Sequence, residues 1–355
     1  MVILVSGAMY SAYLYFSTIR TLASRTSLPM AEDVAPVTVP QGRAPEQELP
    51  DIESKKERIN VLLLGIDQRD NGTDKGPWRT DTMILVSVDP ATQSLSMLSI
   101  PRDLWVTIPG YGENRINTAH ATGDIRQYPG GGVALAKKTV WYVFGVPVHY
   151  YVRINFTGFE KMVDAIGGIT IDVKTAIHDD KYPDQNYGTM VVDIPAGVQH
   201  MDGKTALQYA RSRHGSNDFD RMGRQQEVIL AVRDKVLSLD IPLLRVPQLI
   251  ELAGSSIQTD LKLDEIVALA GILRTIDRGN IRQGAVDDTM STTVVTPQGA
   301  MVQMADWDKV NALVAQLFPV TSSTAEPTPS LLSIPLSNEA ARIRVQNGTV
   351  TANLA

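Results

Sequence analysis

The sequence predicts an α/β fold, in which a central mixed β-sheet is flanked by helices on both faces and preceded by an N-terminal transmembrane helix. Apolar runs of strand length follow one another closely after residue 58, and stretches with helical spacing then alternate with further apolar strands. Residues 1–19 form an apolar run without a charged side chain. The chain has 355 residues, 43% of them hydrophobic, which is enough for one large core or two modest ones.

The N-terminal run, MVILVSGAMYSAYLYFSTI, approaches the roughly 20 residues that a membrane-spanning helix needs. Its tyrosines, Tyr10, Tyr13 and Tyr15, cluster toward one end, as interfacial aromatic residues do. A cleaved signal peptide is the alternative, but no basic residue precedes the run and no clear small-residue cleavage site follows it. We therefore predict a transmembrane anchor over residues 1–26. The proline-rich residues 27–57 bury too little apolar surface to offset their ordering entropy, which predicts a semi-extended linker.

Three apolar runs open the folded part of the chain: RINVLLLGID ends at Asp67, DTMILVSVDP ends at Pro90, and QSLSMLSIPRD ends at Asp103. Asp89, Pro90 and residues 91–93 form the turn between the second and third runs. Such short connections favour an antiparallel meander. In a meander, the end of an odd strand and the start of an even strand lie at the same edge of the sheet.

The later elements follow from hydrophobic spacing and from glycine. After a loop that reaches Asn117, we predict a strand over HYYVRI and a second strand over ITIDV, with a helix between them that ends at Gly167 and Gly168. This predicts a strand-helix-strand unit. Helices are predicted at 133–144, 156–166, 203–211, 220–239 and 263–275, followed by a strand pair and a closing helix. The region beyond residue 242 has few clustered polar groups, so we interpret it as structural.

Charge and residue types exclude several classes of function. The net charge of −6 and the pI near 5.4 argue against a nucleic-acid binder, so any basic site must be local. The absence of cysteine excludes disulfides, thiolate metal sites and cysteine nucleophiles. No phosphate-binding glycine loop, dinucleotide fingerprint or kinase signature appears, which argues against a nucleotide ligand. The histidines lack metal-ligand spacing and are interpreted as ordinary polar or capping residues: His120, His149, His178, His200 and His214.

The predicted meander gathers charged residues at one edge of the sheet. Asp67 lies at the end of the first strand, Arg79 and Asp81 at the start of the second, and Arg102 and Asp103 just past the end of the third. Converging carboxylates without histidine or cysteine indicate a hard cation such as Mg²⁺. Neighbouring arginines indicate a phosphate-bearing ligand, because guanidinium forks match phosphate oxygens. Two ordinary surface salt bridges at a sheet edge are the alternative.

A second charged cluster lies in ALQYARSRHGSNDFDRMGRQQEVILAVRDKVL. Arg211 and Arg213 are two residues apart and share a face if the segment is extended after its helix. A new helix follows, capped by Asp218 or Asp220.

On this new helix, Arg221 and Gln225 continue an apolar stripe that runs through Val228 or Ile229, Val232 and Val236. These two polar residues should therefore point inward, and a buried guanidinium needs a partner. That partner is either a phosphate ligand or an internal carboxylate. Arg224 lies off the stripe and is interpreted as a solvated or supporting residue. The arginines and aspartates of the two clusters together would be balanced by a pyrophosphate bound with Mg²⁺.

Six segments between about Asn60 and Leu237 resemble, in unbroken order, the successive motifs of the LytR-CpsA-Psr (LCP) family. They are NVLLLGIDQR, RTDTMILVSVDP, LSIPRDLWV, RINTAHATGD, YYVRINFTGFEKMVDAIGGITIDV and ALQYARSRHGSNDFDRMGRQQEVI. The resemblance implies a membrane-anchored phosphotransferase with its catalytic domain outside the cell. Such an enzyme moves a glycopolymer, for example teichoic acid or capsule, with one phosphate from a polyprenyl pyrophosphate carrier to peptidoglycan.

The resemblance also implies roles for individual residues. Asp67 and Asp81 would bind Mg²⁺ or Mn²⁺. The implied pyrophosphate-binding set is Arg79, Arg102, Arg211, Arg213, Arg221 and Gln225. Within these groups, the residues expected to act in catalysis are Arg79, Asp81, Arg102 and Arg213. Asp81, Asp103 or the metal would activate the acceptor hydroxyl. Lys137 and Lys138 would add charge near the phosphates, and the helices at 133–144 and 156–166 would hold the isoprenoid chain.

The predicted organisation is therefore an anchor, a linker and an LCP catalytic domain over 58–320, with a motif core over 60–237 and a structural extension over 238–320. A second linker over 321–340 precedes the truncated start of a further domain over 341–355. We expect a single-pass protein of the cell membrane that acts on the lipid-linked glycan and peptidoglycan and binds no nucleic acid. A polyprenyl-pyrophosphate hydrolase and a non-catalytic lipid-binding or regulatory protein are the alternatives.

Overall fold

The computed structural model describes residues 52, 57–68, 76–184, 188–212, 218–238, 256–297 and 299–319. The predicted anchor, most of the first linker and the segments after residue 320 lie outside these ranges, as does Arg213. Within the described ranges, no helix combines the length and the hydropathy that crossing a bilayer requires.

The described residues form fourteen strands and seven α-helices. The strands are β1 (Ile59–Ile66), β2 (Thr80–Asp89), β3 (Ser94–Ser99), β4 (Trp105–Ile108), β5 (Gly112–Arg115), β6 (Tyr150–Ile154), β7 (Ile169–Val173), β8 (Ile177–Pro183), β9 (Thr189–Ile194), β10 (Gly197–Met201), β11 (Ile257–Thr259), β12 (Ile281–Ala285), β13 (Ser291–Val295) and β14 (Met301–Ala305). The helices are α1 (Thr118–Ile125), α2 (Gly131–Phe144), α3 (Phe156–Ala165), α4 (Gly203–Arg211), α5 (Asp218–Ser238), α6 (Leu263–Arg274) and α7 (Trp307–Leu317).

A six-stranded mixed sheet in the order β11-β6-β1-β2-β3-β12 forms the centre of the fold. Strands β1, β2 and β3 are an antiparallel meander, which confirms the prediction from the short turns. Strand β6 is parallel to β1, and β12 is parallel to β3. As a result, the strand termini at one end of the sheet lie together, and we call this end the site edge. It comprises the ends of β1, β3, β6 and β12 and the starts of β2 and β11.

Helices cover both faces of this sheet, as predicted. On one face, Leu64 and Leu85 pack with Leu135 of α2 and Val310 of α7. On the other face, Ile59 and Val88 pack with Ile272 of α6, and Leu230 of α5 packs against the same cluster. A third core joins α3, α4, β7 and α5. Burial of these apolar stripes is the main favourable term that holds the layers together.

Two predictions about the elements are wrong, and two strands of the central sheet were not predicted. The segment before Asn117 is not a simple loop, because it contains the hairpin β4–β5, and α1 follows directly. The strand ITIDV pairs with β10 in a separate two-stranded sheet and not beside β6, so the strand-helix-strand unit does not share one sheet. The physical reason for this separate sheet is the pattern of β7, in which buried and exposed residues alternate. Such alternation is typical of a sheet with one face exposed to solvent. The extension supplies β11 and β12 to the central sheet, although the polar IRQGA run gave no strand signal.

Candidate functional site

Backbone hydrogen bonds at the site edge join the end of β1, the start of β2 and the segment after β3. Asp67 N donates to Arg79 O at 3.5 Å, which places the end of β1 beside the start of β2. Thr80 N donates to Asn117 O at 3.4 Å, and Asn117 N donates to Arg102 O at 3.2 Å. The segment after β3 is thereby tied to the start of β2 through the residue that precedes α1.

Asp81 occupies a bulge in the β1–β2 ladder. Gly65 pairs with Thr82 and Ile66 pairs with Thr80, so Asp81 is the extra residue on β2. A bulge re-aims a side chain and is common next to functional sites. Here the Asp81 carboxylate accepts a hydrogen bond from Arg102 Nη1, with 2.9 Å between the nitrogen and Oδ2.

Arg102 lies among three carboxylates. Its Nε is 3.4 Å from Asp103 Oδ2, and Asp103 also faces Arg115, whose Nε is 3.2 Å from Oδ1. Burial lowers the pKa of Arg102, but the charges of Asp81, Asp103 and Asp218 together raise the pKa above its ordinary value. Asp218 is the first residue of α5, so the charge at the start of this helix acts on the arginine that follows β3.

The start of α5 carries the second charged cluster. Arg221 is buried, and its Nη2 lies 2.7 Å from Asp218 Oδ1 one turn earlier. Gln225 is also buried, and its Nε2 donates to Ala210 O at 3.4 Å. The structure therefore confirms that these two residues point inward, and it shows a carboxylate beside Arg221. Asp218 and Asp220 both lie in the first turn of α5.

Gln226, which the sequence analysis missed, fixes α5 against the sheet. Its buried side-chain amide donates to Ser99 Oγ at 2.8 Å and to Gly284 O at 2.9 Å. Ser99 ends β3, three residues before Arg102, and Gly284 lies on β12. These bonds bring the two charged clusters together. In the sequence, the only indication of this role was that Gln226 directly follows Gln225, the glutamine predicted to point inward.

Arg211 is the last residue of α4, and its guanidinium stacks 3.8 Å from the centroid of the Phe156 ring. Its Nη1 also donates to the hydroxyl of Tyr182 at 3.2 Å. Phe156 begins α3, directly after the end of β6 at the site edge. Arg79 is exposed at the start of β2. The position of Arg213 lies outside the described residues, so its predicted role stays a prediction.

One prediction about a neighbouring cation, Lys137, is wrong, and for Arg224 the structure selects the supporting role from the two alternatives. Lys137 Nζ bonds the carbonyl of His149 at 2.6 Å and the carboxylate of Asp260 at 2.9 Å. Both partners lie at the opposite end of β6 from the site edge, so Lys137 is not near the proposed phosphates. Arg224 is half-buried rather than solvated, and it donates to the carbonyls of Tyr209 and Ser212, where it supports the end of α4.

The carboxylates suit a magnesium ion only in one binding mode. Among the described residues, no group of three or more histidine, aspartate or glutamate side chains is arranged to hold a metal. Mg²⁺ commonly binds through one or two carboxylates, with substrate phosphates and water completing its octahedron. The pair of Asp67 and Asp81 at adjoining strand termini fits that mode, because both offer oxygen ligands.

Comparisons with known proteins agree with the resemblance seen in the sequence. Residues 28–318 match the model of the LytR_cpsA_psr family. The chain is 32% identical over 271 residues to the polyisoprenyl-teichoic acid–peptidoglycan teichoic acid transferase TagU of Oceanobacillus iheyensis, covering 76% of each chain. It is 34% identical over 241 residues to the corresponding transferase TagT of Bacillus subtilis, covering 67% of this chain and 71% of TagT.

Among solved structures, TagT bound to LIIa-WTA superimposes with a TM-score of 0.61 at 28% identity. The match covers 79% of this chain and 97% of that one.

Proposed function

Because the chain belongs to the LytR-CpsA-Psr family, we propose that it is a phosphotransferase of the cell envelope. It moves a glycopolymer together with one phosphate from a polyprenyl pyrophosphate carrier, of the undecaprenyl type, to peptidoglycan. The names of its relatives TagU and TagT state a polyisoprenyl-teichoic acid donor and a peptidoglycan acceptor. The observation that carries the proposal is that Gln226 ties α5, which bears the buried Arg221, to Ser99 at the end of β3, three residues before Arg102.

The arginines suit a pyrophosphate because each guanidinium presents five N–H donors in a planar fork. The Asp81 carboxylate accepts a hydrogen bond from Arg102, and the Asp218 carboxylate pairs with Arg221, so both guanidinium groups are held in fixed orientations. Phosphoryl transfer is accelerated mainly by positioning and by neutralisation of charge. A site built from fixed guanidinium groups supplies both.

The proposed reaction is a displacement at phosphorus. A hydroxyl oxygen of peptidoglycan attacks the phosphorus that bears the glycan, and the bond from that phosphorus to the bridging oxygen breaks. Polyprenyl phosphate leaves with the bridging oxygen and its electron pair. Asp81 and Asp103 are the candidate acceptors for the hydroxyl proton, and the pairing of both with Arg102 keeps their carboxylates oriented. Mg²⁺ held by Asp67 and Asp81 would neutralise charge on the phosphates.

The proposed setting is the outer surface of the cell membrane. A polyprenyl carrier stays in the bilayer, and a domain tethered through residues 1–57 would meet it there. The helices α2 and α3 remain our candidates for contact with the isoprenoid chain.

The decisive experiment incubates the purified protein with a lipid-linked glycan pyrophosphate, Mg²⁺ and peptidoglycan fragments, and then weighs the products by mass spectrometry. We expect a glycan–phosphate–peptidoglycan adduct and free polyprenyl phosphate, both lost when the metal is chelated. Arg282→Ala is a matched control, because Arg282 is exposed and lies in the half of β12 away from the site edge. It should transfer like the wild type.

The alternatives give different products. A hydrolase would release glycan phosphate at the same rate with and without peptidoglycan. A non-catalytic lipid-binding or regulatory protein would leave the donor intact. Either result would overturn the transferase proposal.

A further inference from the structure

The site edge holds another guanidinium, that of Arg153, to which the sequence analysis assigned no role. Arg153 lies on β6 opposite Leu64 of β1, which in turn pairs with Met83 of β2. Neighbouring strands are about 4.8 Å apart, so the backbone of Arg153 is roughly 10 Å from that of Met83. Asp81 is two residues nearer the site edge along β2.

The neighbours of Arg153 place it between two predicted phosphate-binding residues. Three residues after it along the chain, Phe156 packs under the guanidinium of Arg211. On its other side, its hydrogen-bond partner His120 contacts the carbonyl of Trp78, the residue before Arg79. Arg153 is thus linked to the start of β2 through His120, and it lies three residues before the aromatic ring that packs on Arg211.

His120 holds the Arg153 side chain in position. The imidazole is fully buried, and its Nε2 lies 3.1 Å from Arg153 Nη1. A guanidinium only donates hydrogen bonds, so Nε2 must be the acceptor and the ring proton must be on Nδ1. That Nδ1 is 3.1 Å from Trp78 O and 3.4 Å from Asp124 Oδ2. Burial lowers the pKa of His120, which favours this neutral form.

The surroundings of the Arg153 guanidinium differ from those of Arg102 and Arg221. Arg102 and Arg221 pair directly with carboxylates, whereas the hydrogen-bond partner of Arg153 is the neutral His120 ring. Asp124 lies on the other side of that ring. Burial lowers the pKa of Arg153 and the charge of Asp124 raises it by less, yet a guanidinium stays charged in proteins. A half-buried cation that is oriented by a neutral acceptor is available to bind an anion.

We propose that Arg153 is a further phosphate-binding residue of the donor site and that His120 is its positioning residue. This inference rests on the proposed function, since the phosphate it would contact belongs to the lipid-linked donor.

The test measures steady-state transfer by Arg153→Gln, Arg153→Lys and His120→Phe, with Arg282→Gln as the charge-matched control. We expect Arg153→Gln to raise KM for the donor about 10-fold with a smaller change in kcat, and Arg153→Lys to recover part of the loss. His120→Phe keeps a planar aromatic ring, slightly larger than imidazole, but removes the acceptor, so it should raise KM in the wild type and add nothing to Arg153→Gln. Melting temperatures identify variants that fail to fold.

A parallel binding measurement separates this inference from the proposed function. Farnesyl pyrophosphate is titrated calorimetrically into the wild type and the same variants, and the Arg153→Gln protein should bind it about 10-fold more weakly. Weakened binding without any transfer by the wild type would overturn the transferase and keep the Arg153 assignment. Normal transfer with an unchanged donor KM and unchanged binding in folded Arg153→Gln would overturn the assignment alone, as would a His120→Phe effect that persists without Arg153.

Discussion

The guanidinium of Arg102 donates to the Asp81 carboxylate at 2.9 Å, and this contact crosses from the segment after β3 to the bulge at the start of β2. The pair is formed at the rim of the sheet, where both side chains remain partly exposed. Ion pairs in such positions contribute little to stability. The arrangement therefore serves to orient charge rather than to hold the fold together.

Replacing Arg102 should separate activity from stability. We expect Arg102→Ala to lower the rate of transfer about 100-fold or more, because a fixed donor to the phosphates is lost, while the free energy of unfolding changes by no more than about 1 kcal/mol. Arg102→Lys should restore only part of the activity, since an ammonium group lacks the planar fork. Turnover assays and urea titrations measure the two effects. Wild-type turnover by the alanine variant would refute the role of Arg102.

Arg213 is predicted to behave in the same way, although it lies outside the described residues. Arg213→Ala should abolish transfer and leave the unfolding transition in place. A fully active Arg213→Ala protein would remove this residue from the proposed pyrophosphate-binding set.

The contact of Gln226 with Ser99 and Gly284 should be structural. Gln226→Met keeps the volume of the side chain but leaves the buried Ser99 hydroxyl and Gly284 carbonyl without these donors. We expect the free energy of unfolding to fall by about 2 kcal/mol. The control is Gln316→Met, at an exposed position on α7, which should change stability by less than about 0.5 kcal/mol. Equal effects of the two changes in urea unfolding would contradict the prediction.

His149 should make the fold sensitive to acid. Its Nδ1 accepts a hydrogen bond from Asn60 N at 3.0 Å, and burial with the nearby charge of Lys137 lowers the pKa of His149 to about 4. In the unfolded chain the pKa is about 6.5, so between these values only the unfolded state binds the proton. Stability contributed by the neutral ring is therefore present above pH 6.5 and is lost as the pH falls toward 4, by up to about 3 kcal/mol.

The measurement for His149 is the free energy of unfolding at pH 7 and at pH 4.5, for the wild type and for His149→Asn. The variant has no titrating group at this position, so its stability should decline less between the two pH values. Identical declines in the two proteins would show that His149 is not the responsible group.

Two glycines in helices should respond oppositely to alanine. A Cβ at Gly203, in the first turn of α4, would lie 2.2 Å from the carbonyl oxygen of Glu160 on α3. Because that oxygen belongs to the backbone, the helices must separate, and we expect Gly203→Ala to cost about 2 kcal/mol or more. A Cβ at Gly223, on the exposed face of α5, would have no neighbour within 4 Å. Gly223→Ala should stabilise the protein by about 0.5–1 kcal/mol through helix propensity. Thermal unfolding of both variants tests the contrast.

Sequence reasoning located the first charged cluster because it needed only strand direction. The turn between β2 and β3 is too short for a parallel crossover, and a meander is the simplest arrangement that also includes β1. A meander puts Asp67, Asp81 and Arg102 at one end of the sheet. The inward orientation of Arg221 and Gln225 likewise followed from helical spacing, which is a local property. The family was recognisable for a related reason, since its motifs are contiguous in the chain.

The structure was needed to show that the two clusters meet. Gln226 bonds Ser99 across 127 residues of sequence, and Arg153 reaches the site edge only because β6 lies parallel to β1. Neither pairing can be predicted from residue spacing or composition. The same holds for the pairing of β12 with β3 and of β7 with β10. The sequence by itself determined the apolar faces and approximate positions of β1, β2, β3, β6 and α5, since these depend on near neighbours. Tertiary structure alone decided which distant segments pack together, because that choice depends on competition among all the apolar surfaces of the chain.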